Sequence, residues 1–523
     1  MSALFKKGEA KAPRGRSPRT LSMEEMIGQL FVVLVEPHGK IRDSLQSHEA
    51  NHYGGIFLRR DNLQSVDRTR RFTHRFRRPT RRIPIPVVAV DEEGGLVSDL
   101  SHLTTPAPSA AALGMVDDEE VTRDVYQGIG EKARALGFNT VFAPVLDVNV
   151  EAANPVIGTR AFGAVPSLVV KHAMAALDGL HRAKVTACVK HFPGHGATSL
   201  DSHLTLPEVR PDAATLRERE LAPYVEAFGR SDPPEMLMTA HVAYPALDRS
   251  GAPATLSRAV LQDLLRKDLG FQGVVITDAM EMKGITERLS PGKAAVTALD
   301  AGADLLLYAM DPAMAAAAYK GVLDAVRGGK LSEERIGQSV DRVHALRRKF
   351  RGRTWVKMDE AEEILELDHE QVFFEAARKG LVLEGNAGVL AEIPAAPGPK
   401  LVVLPHDMDE WRRVPLEVVR EQLEPAGFTV LGVSPRPTAE EIGMVEGRAA
   451  EASVVVVGTA SRGAMTEENR KLIEALTRRD VIKVGVALLD PRDAEQMMSA
   501  NCRIKTFGFT TPQLWAMSQE LLG

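Results

Sequence analysis

Short runs of β-branched and apolar residues recur along the first two-thirds of the chain, with helical periodicity between them. Strands are predicted at Leu30–Val35, Gly55–Leu58, Val87–Asp91, Thr140–Leu146, Val185–Lys190, Met236–His241, Gly273–Asp278 and Asp304–Tyr308. Segments such as Asp118–Leu136, Pro166–His181, Ala213–Phe228 and Pro312–Arg327 carry an amphipathic helical pattern. The strands are continuously apolar, as parallel strands covered on both faces are. Eight strand–helix units within about 330 residues predict an α/β fold, a (β/α)8 TIM-type barrel.

A helical stretch, Ser332–Lys349, precedes a charged segment from Arg351 to Glu363, and then the pattern restarts. Strands are predicted at Leu401–Leu404, Thr429–Val433, Ser453–Val457, Lys483–Leu488 and Ile504–Gly508. Helices at Pro415–Glu424, Ala439–Ala450 and Glu467–Thr477 alternate with them, the mark of a smaller open α/β sheet domain. The expected organisation is a disordered basic tail over 1–20, the barrel over 21–350, a linker over 351–380 and the C-terminal α/β domain over 381–523.

Composition narrows the classes. Hydrophobic residues make up 44% and charged residues 26%, as in a folded globular chain. A formal net charge of −5 gives no global attraction to nucleic acid. Cys188 and Cys502 are far apart in sequence; they suggest no disulfide framework and read as buried, inert thiols. No apolar run reaches about 18 residues, so no transmembrane helix is expected. Met1–Arg19 lacks the apolar stretch of a secretory signal, which makes a cytoplasmic enzyme the default. The basic run Arg68–Arg82 reads as a solvated helix face.

Candidate chemistry gathers at the C-terminal ends of the predicted strands, where barrels of this type keep their function. Asp91-Glu92-Glu93-Gly94-Gly95 follows the third strand, and Asp147 and then Asn154–Arg160 follow the fourth. The fifth runs into Lys190-His191-Phe192-Pro193-Gly194-His195-Gly196 and then Asp201-Ser202-His203. His241 ends the sixth strand and Asp278 the seventh. Two glycines and a proline make 190–203 an irregular loop. Taken singly, its histidines read as ordinary hydrogen-bonded residues. His191, His195 and Asp201 are plausible zinc ligands, but Lys190 would be repelled by a cation and the usual zinc spacings are absent. No metal and no cofactor are expected. His241 fits a pocket wall or the core equally well, and Tyr308 at the end of the eighth strand has the same standing. An Asp in the position of Asp278 also suits a helix cap.

Lys190–Gly196 with Asp201-Ser202-His203 resembles the signature of glycoside hydrolase family 3 β-N-acetylhexosaminidases, the β-N-acetylglucosaminidases. Asn154–Gly163 is similar to that family's arginine loop, Ile276–Met282 to its nucleophile strand and Asp91–Gly95 to its acidic element. The resemblance covers most of residues 21–350 in consistent order. It implies Asp278 as nucleophile and an Asp201–His203 pair as acid/base, with imidazole titrating near neutrality and the carboxylate orienting it. Asp91, Arg160, Lys190 and His191 would hold the terminal sugar. The implied activity is retaining, exo-acting release of β-linked N-acetylglucosamine from a small glycoside, a fragment of peptidoglycan for a cytoplasmic member. A phosphorylase of the same family and a non-catalytic sugar-binding protein on the same fold stay open. The chain departs from the pattern at Leu96 and Asp99, where the family has arginines, the second of them on the sugar.

Overall fold

The computed structural model describes residues 21–35, 41–76, 84–202, 205–350, 356–366, 369–408, 412–477 and 480–523. The expected tail over 1–20, residues 77–82 of the basic run and His203 lie outside them.

Ten strands lie in the first domain: β1 Phe31–Leu34, β2 Gly55–Phe57, β3 Val87–Val90, β4 Glu92–Gly94, β5 Val97–Ser98, β6 Thr140–Val141, β7 Thr186–Phe192, β8 Met236–Thr239, β9 Val274–Ala279 and β10 Leu305–Tyr308. Eight of them close a parallel barrel in the order β1-β2-β3-β6-β7-β8-β9-β10, with Val32 of β1 facing Gly55 of β2 and Leu307 of β10. β4 and β5 form a small antiparallel hairpin beyond the end of β3. The predicted strands thus all appear in the barrel. They are largely apolar, with polar residues such as Lys190, His191 and Asp278 towards their C-terminal ends, because side chains fill the inside while helices cover the outside.

Two local differences follow from proline. The fourth strand was expected to reach Leu146, yet its regular ladder covers only Thr140–Val141. Pro144 has no N–H for a ladder. The chain still runs beside β7, with Cys188 N–H donating to Ala143 O at 3.0 Å and Leu146 N–H to Lys190 O at 2.7 Å. Ala213–Phe228, expected as one helix, is two: Ala213–Glu218 and Ala222–Gly229, the second with Pro223 in its first turn.

The N-terminal face of the barrel holds its structural charges. Buried Asp304, at the foot of β10, meets Arg266 at 2.6 Å and Arg342 at 3.0 Å, and accepts Val275 N–H and Ser339 Oγ–H. Arg347, on the helix Glu333–Lys349, is buried and donates to Gln29 Oε1, Pro84 O and Ile85 O. It ties the last barrel helix to the segments that enter β1 and β3. Arg70 departs from the solvated face expected for the basic run. It is buried and donates to Ala135 O and to Val356 O, joining the barrel to the segment that leaves it.

The second domain is a six-stranded sheet: β11 Val382–Gly385, β12 Lys400–Pro405, β13 Phe428–Val433, β14 Val454–Thr459, β15 Ile482–Ala487 and β16 Cys502–Lys505. Its order is β11-β16-β15-β14-β12-β13, parallel except for β11. Alternate residues of β12 feed two cores, Val402 and Leu404 on one face, Leu401 and Val403 on the other. The sequence predicted five of these strands. β11 escaped because it is a short edge strand with no fully buried position.

Helices Met358–Glu366 and His369–Lys379 lie in the segment read as a linker. Phe373 packs over Gly128, and Lys132 Nζ sits 4.6 Å from its ring centre. Phe374 meets Trp515 of the last helix edge-on at 5.0 Å. Ser109 Oγ–H donates to Phe507 O at 2.6 Å, and Arg412 Nε–H to Leu96 O at 3.3 Å, so the domains also touch directly at the barrel mouth.

Candidate active site

A cleft of about 700 Å³ opens at the C-terminal rim of the barrel. Asp91, Arg160, Lys190, His191, Asp201 and Asp278 all line it. These are six of the seven residues singled out from sequence, and the seventh, His203, lies outside the described residues. They arrive from β3, β7, β9 and the loops after β6 and β7, which the closed barrel gathers around one mouth.

The floor is an ion network. Lys190 Nζ lies 2.6 Å from Asp91 Oδ1 and 2.5 Å from Glu93 Oε1. Arg160 grips the same Glu93 with two parallel hydrogen bonds of 2.8 Å, from Nε and Nη2. Glu93 and Lys190 are each 2% exposed, so neither charge could persist there unpaired. Burial raises the Glu93 carboxyl, but Arg160 and Lys190 overcome it and hold it at about 2. Burial likewise favours neutral Lys190, yet Asp91 and Glu93 raise it above the usual lysine range. The two cations are therefore fixed in the charged state. The burial of Arg160 is continuous with the loop Asn154–Gly163, where Asn154 Oδ1 accepts Val156 and Ile157 N–H and turns the chain.

Beside this network, Asp147 orients two histidines. Its Oδ2 lies 2.7 Å from His191 Nδ1, and its Oδ1 accepts His195 N–H at 2.6 Å. Burial raises Asp147, His191 outweighs it, and the carboxyl is held below its ordinary value. The other ring nitrogen of His191, Nε2, is 3.2 Å from Arg160 Nη2. His195 makes ring contacts of 2.8 Å with Ser202 and Thr198 hydroxyls, and burial pushes it down to about 4. At neutral pH it is an uncharged strut under the 196–202 loop. Both rings are spoken for, and no group of three or more His, Cys, Asp or Glu placed for a metal ion occurs among the described residues.

Asp278 ends β9 with Oδ1 accepting Ala279 N–H at 2.7 Å. In the strand order β9 stands across the barrel from β3, so Asp278 faces Asp91 across the mouth. His241 does not line the cleft. It is fully buried, bonded to Thr255 Oγ1 at 2.8 Å and Ala279 O at 3.0 Å, which braces the residue after Asp278. Tyr308 is core as well, stacked on Phe31 at 5.9 Å.

Sequence reasoning missed Glu93 and Asp147 as members of the site. Both were visible as acidic residues after strands, but only the fold shows that each one serves two partners. It also missed Arg412 and Arg462, which line the cleft from the second domain and belong to no motif. Asp99 and Leu96, the departures from the expected pattern, line the cleft too.

Comparison with known proteins agrees with this fold. A model of the glycosyl hydrolase family 3 N terminal domain matches residues 22–346. Beta-hexosaminidase A of Pseudoalteromonas piscicida is 33% identical over 322 residues, 57% of this chain and 53% of that protein. The matched segment thus spans about half the length of that relative. A beta-hexosaminidase of Idiomarina loihiensis is 36% identical over 231 residues, 43% of this chain and 68% of that protein. Among solved structures, a glycoside hydrolase family 3 beta-N-acetylglucosaminidase from Paenibacillus sp. superposes with a TM-score of 0.86 at 31% identity, covering 96% of this chain and 97% of that one. No helix among the described residues is long and apolar enough to cross a membrane.

Proposed function

The chain belongs to glycosyl hydrolase family 3, and on that premise we propose that it is a retaining exo-β-N-acetylglucosaminidase acting on small β-linked glycosides. The observation that carries this is the meeting of Asp278, Asp201 and the Lys190–Asp91–Glu93–Arg160 network in one cleft.

In this reading Asp278 attacks the anomeric carbon of the terminal sugar, and the glycosidic oxygen leaves as the covalent glycosyl-enzyme forms. The Ala279 N–H on Oδ1 fixes the rotation of the carboxylate. His203, oriented by Asp201, gives its proton to the leaving oxygen. It then takes one from the water that attacks the anomeric carbon and frees Asp278. Asp91, Arg160, Lys190 and His191 hold the sugar hydroxyls through groups already locked by one another, so little side-chain order remains to be lost on binding. The names of the relatives support hexosamine as the sugar. Fragments of peptidoglycan are the natural substrate class in this proposal, met in the cytoplasm.

Release of nitrophenol from its β-N-acetylglucosaminide tests the reading. The expected outcome is loss of at least about 10³-fold in kcat for Asp278→Ala and a strong decrease for His203→Ala, with the β-anomer as first product by NMR. A wild-type protein that binds N-acetylglucosamine but releases no nitrophenol would replace the enzyme with a sugar-binding protein.

A further inference from the structure

Ser202 separates Asp201 from His203 in the chain, and its hydroxyl is bound to His195. The contact, from Ser202 Oγ to His195 Nε2, is 2.8 Å, and both residues are buried. On the other side of the ring, Nδ1 lies 2.8 Å from Thr198 Oγ1, whose hydroxyl also reaches His195 O at 3.1 Å. One proton arrangement gives every hydrogen a partner: Thr198 Oγ–H on His195 O, Nδ1–H on Thr198 Oγ1, and Ser202 Oγ–H on Nε2. Both ring nitrogens are then taken, so His195 has no atom to offer to a glycosidic oxygen. What it holds is the residue next to both members of the dyad.

The ring projects from a backbone that is itself fixed. His195 N–H donates to Asp147 Oδ1 at 2.6 Å, and the Tyr244 hydroxyl donates to Gly194 O. His195 O accepts Asn154 Nδ2–H at 2.9 Å. The carbonyl oxygen of the same Asn154 side chain accepts Val156 and Ile157 N–H, at the start of the loop that carries Arg160. Glu151 N–H adds a backbone bond of 3.1 Å to Gly196 O. The segment that bears the dyad and the segment that bears the sugar-holding arginine thus share one polar joint. Burial pushes the imidazole down to about 4, so its hydrogen bonds keep one form at the pH where His203 would cycle its proton.

Resting on the glycosidase reading, we propose that His195 is the positioning residue of the acid/base: through Ser202 its ring sets where Asp201 and His203 stand over the scissile bond, and through Asn154 it keys that position to the sugar-holding loop. A general acid works only within hydrogen-bond reach of the oxygen it protonates. Slackening the Ser202 tether therefore weakens protonation of the leaving oxygen more than the attack by Asp278. The penalty depends on how much the leaving group needs a proton.

The experiment measures kcat/KM, which reports formation of the glycosyl-enzyme, on two aryl β-N-acetylglucosaminides. The 2,4-dinitrophenolate leaves without a proton, whereas the phenyl glycoside needs one on its leaving oxygen. Wild type is compared with His203→Ala, His195→Phe, Ser202→Ala, the His195→Phe/Ser202→Ala double variant and Asn154→Ala. His203→Ala sets the full effect, a rise in the dinitrophenyl-to-phenyl ratio of kcat/KM by about 10²-fold or more. His195→Phe keeps a ring and removes both nitrogens, and the ratio should rise by about tenfold or more. Ser202→Ala cuts the same bond from its other end and should raise the ratio likewise. The double variant should be no worse than the more affected single one, because one bond is removed twice. Asn154→Ala should raise the ratio and also weaken competitive inhibition by N-acetylglucosamine.

A role confined to folding would lower both substrates by one factor. A His195→Phe ratio equal to that of the wild type, whether both rates fall together or neither falls, therefore overturns the proposal; should that variant not fold, Ser202→Ala carries the same decision. Additive effects in the double variant overturn the tether, and an Asn154→Ala protein with either readout unmoved overturns the joint to the sugar loop. Wild type that releases neither phenol overturns the glycosidase reading itself. A His203→Ala ratio equal to wild type overturns the choice of acid/base, and the positioning role with it.

Discussion

Glu93 shows how much one carboxylate can organise. It pairs with Arg160 and Lys190 at once in a position only 2% exposed, with Asp91 supplying the second negative charge. Removing one partner of a buried ion pair typically costs about 3–5 kcal/mol, because the other charge is left uncompensated. Glu93→Gln is therefore expected to be destabilised by that order in urea unfolding and to lose affinity for N-acetylglucosamine as Arg160 loses its anchor. The pH dependence has a defined sign. A carboxyl held at about 2 when folded stabilises above its unfolded value, and the contribution is lost as pH falls from about 4.5 towards 2. The depression corresponds to about 3 kcal/mol, so the acid-side fall in stability should be shallower in Glu93→Gln than in wild type over that window. The same site shows what a sequence leaves hidden. Asp91, Arg160, Lys190, His191, Asp201 and Asp278 were legible because they stand in short motifs at strand ends. Glu93 and Asp147 were not singled out, since serving two partners is a property of the folded neighbourhood. Arg412 could not be found at all, because nothing in its local sequence ties residue 412 to residue 96.

The loop after β7 is positioned by close backbone approach rather than by regular hydrogen bonding. A Cβ on Gly196 would lie 2.0 Å from Val148 O and 2.4 Å from Val148 C, backbone atoms that cannot swing away. Gly196→Ala should displace the 196–202 loop and with it Asp201. Displacements of about 1 Å at a reacting centre cost on the order of 10²-fold in rate. We expect a loss of that size in kcat, with unchanged far-ultraviolet circular dichroism; retention of wild-type kcat would show that the loop has another way to place Asp201. Regular elements were easier to read. The eight barrel strands were predicted from continuous apolar runs; proline cut the regular ladder of the fourth at Pro144 and split an expected helix at Pro223, while other strand ends shifted by a residue or two, as at β7, which runs on to Phe192. β11 was missed for the opposite reason: an edge strand without a buried position leaves little hydrophobic signal.

The two domains are joined by packed helices, and the cleft takes residues from both. Phe373 is the plug of this junction, 1% exposed and seated over Gly128. Phe373→Ala should cost about 3–5 kcal/mol, as emptied aromatic core sites do. Scanning calorimetry should show one transition for the wild type and an earlier, separate transition in the variant. Two transitions already present in the wild type would mean that the junction does not couple the domains. This coupling bears on the arrangement of the cleft, because Arg412 can stay on Leu96 O only while the junction holds.

The clasp formed by Arg347 has a consequence for how the molecule is made. A guanidinium from the final barrel helix is sequestered against oxygens of Gln29, Pro84 and Ile85, and burial lowers it to about 9. The opening segments of the cylinder thus lack their donor until residue 347 has left the ribosome. A nascent chain halted earlier should stay sensitive to protease in its first strands, and the length at which resistance appears marks the moment of closure.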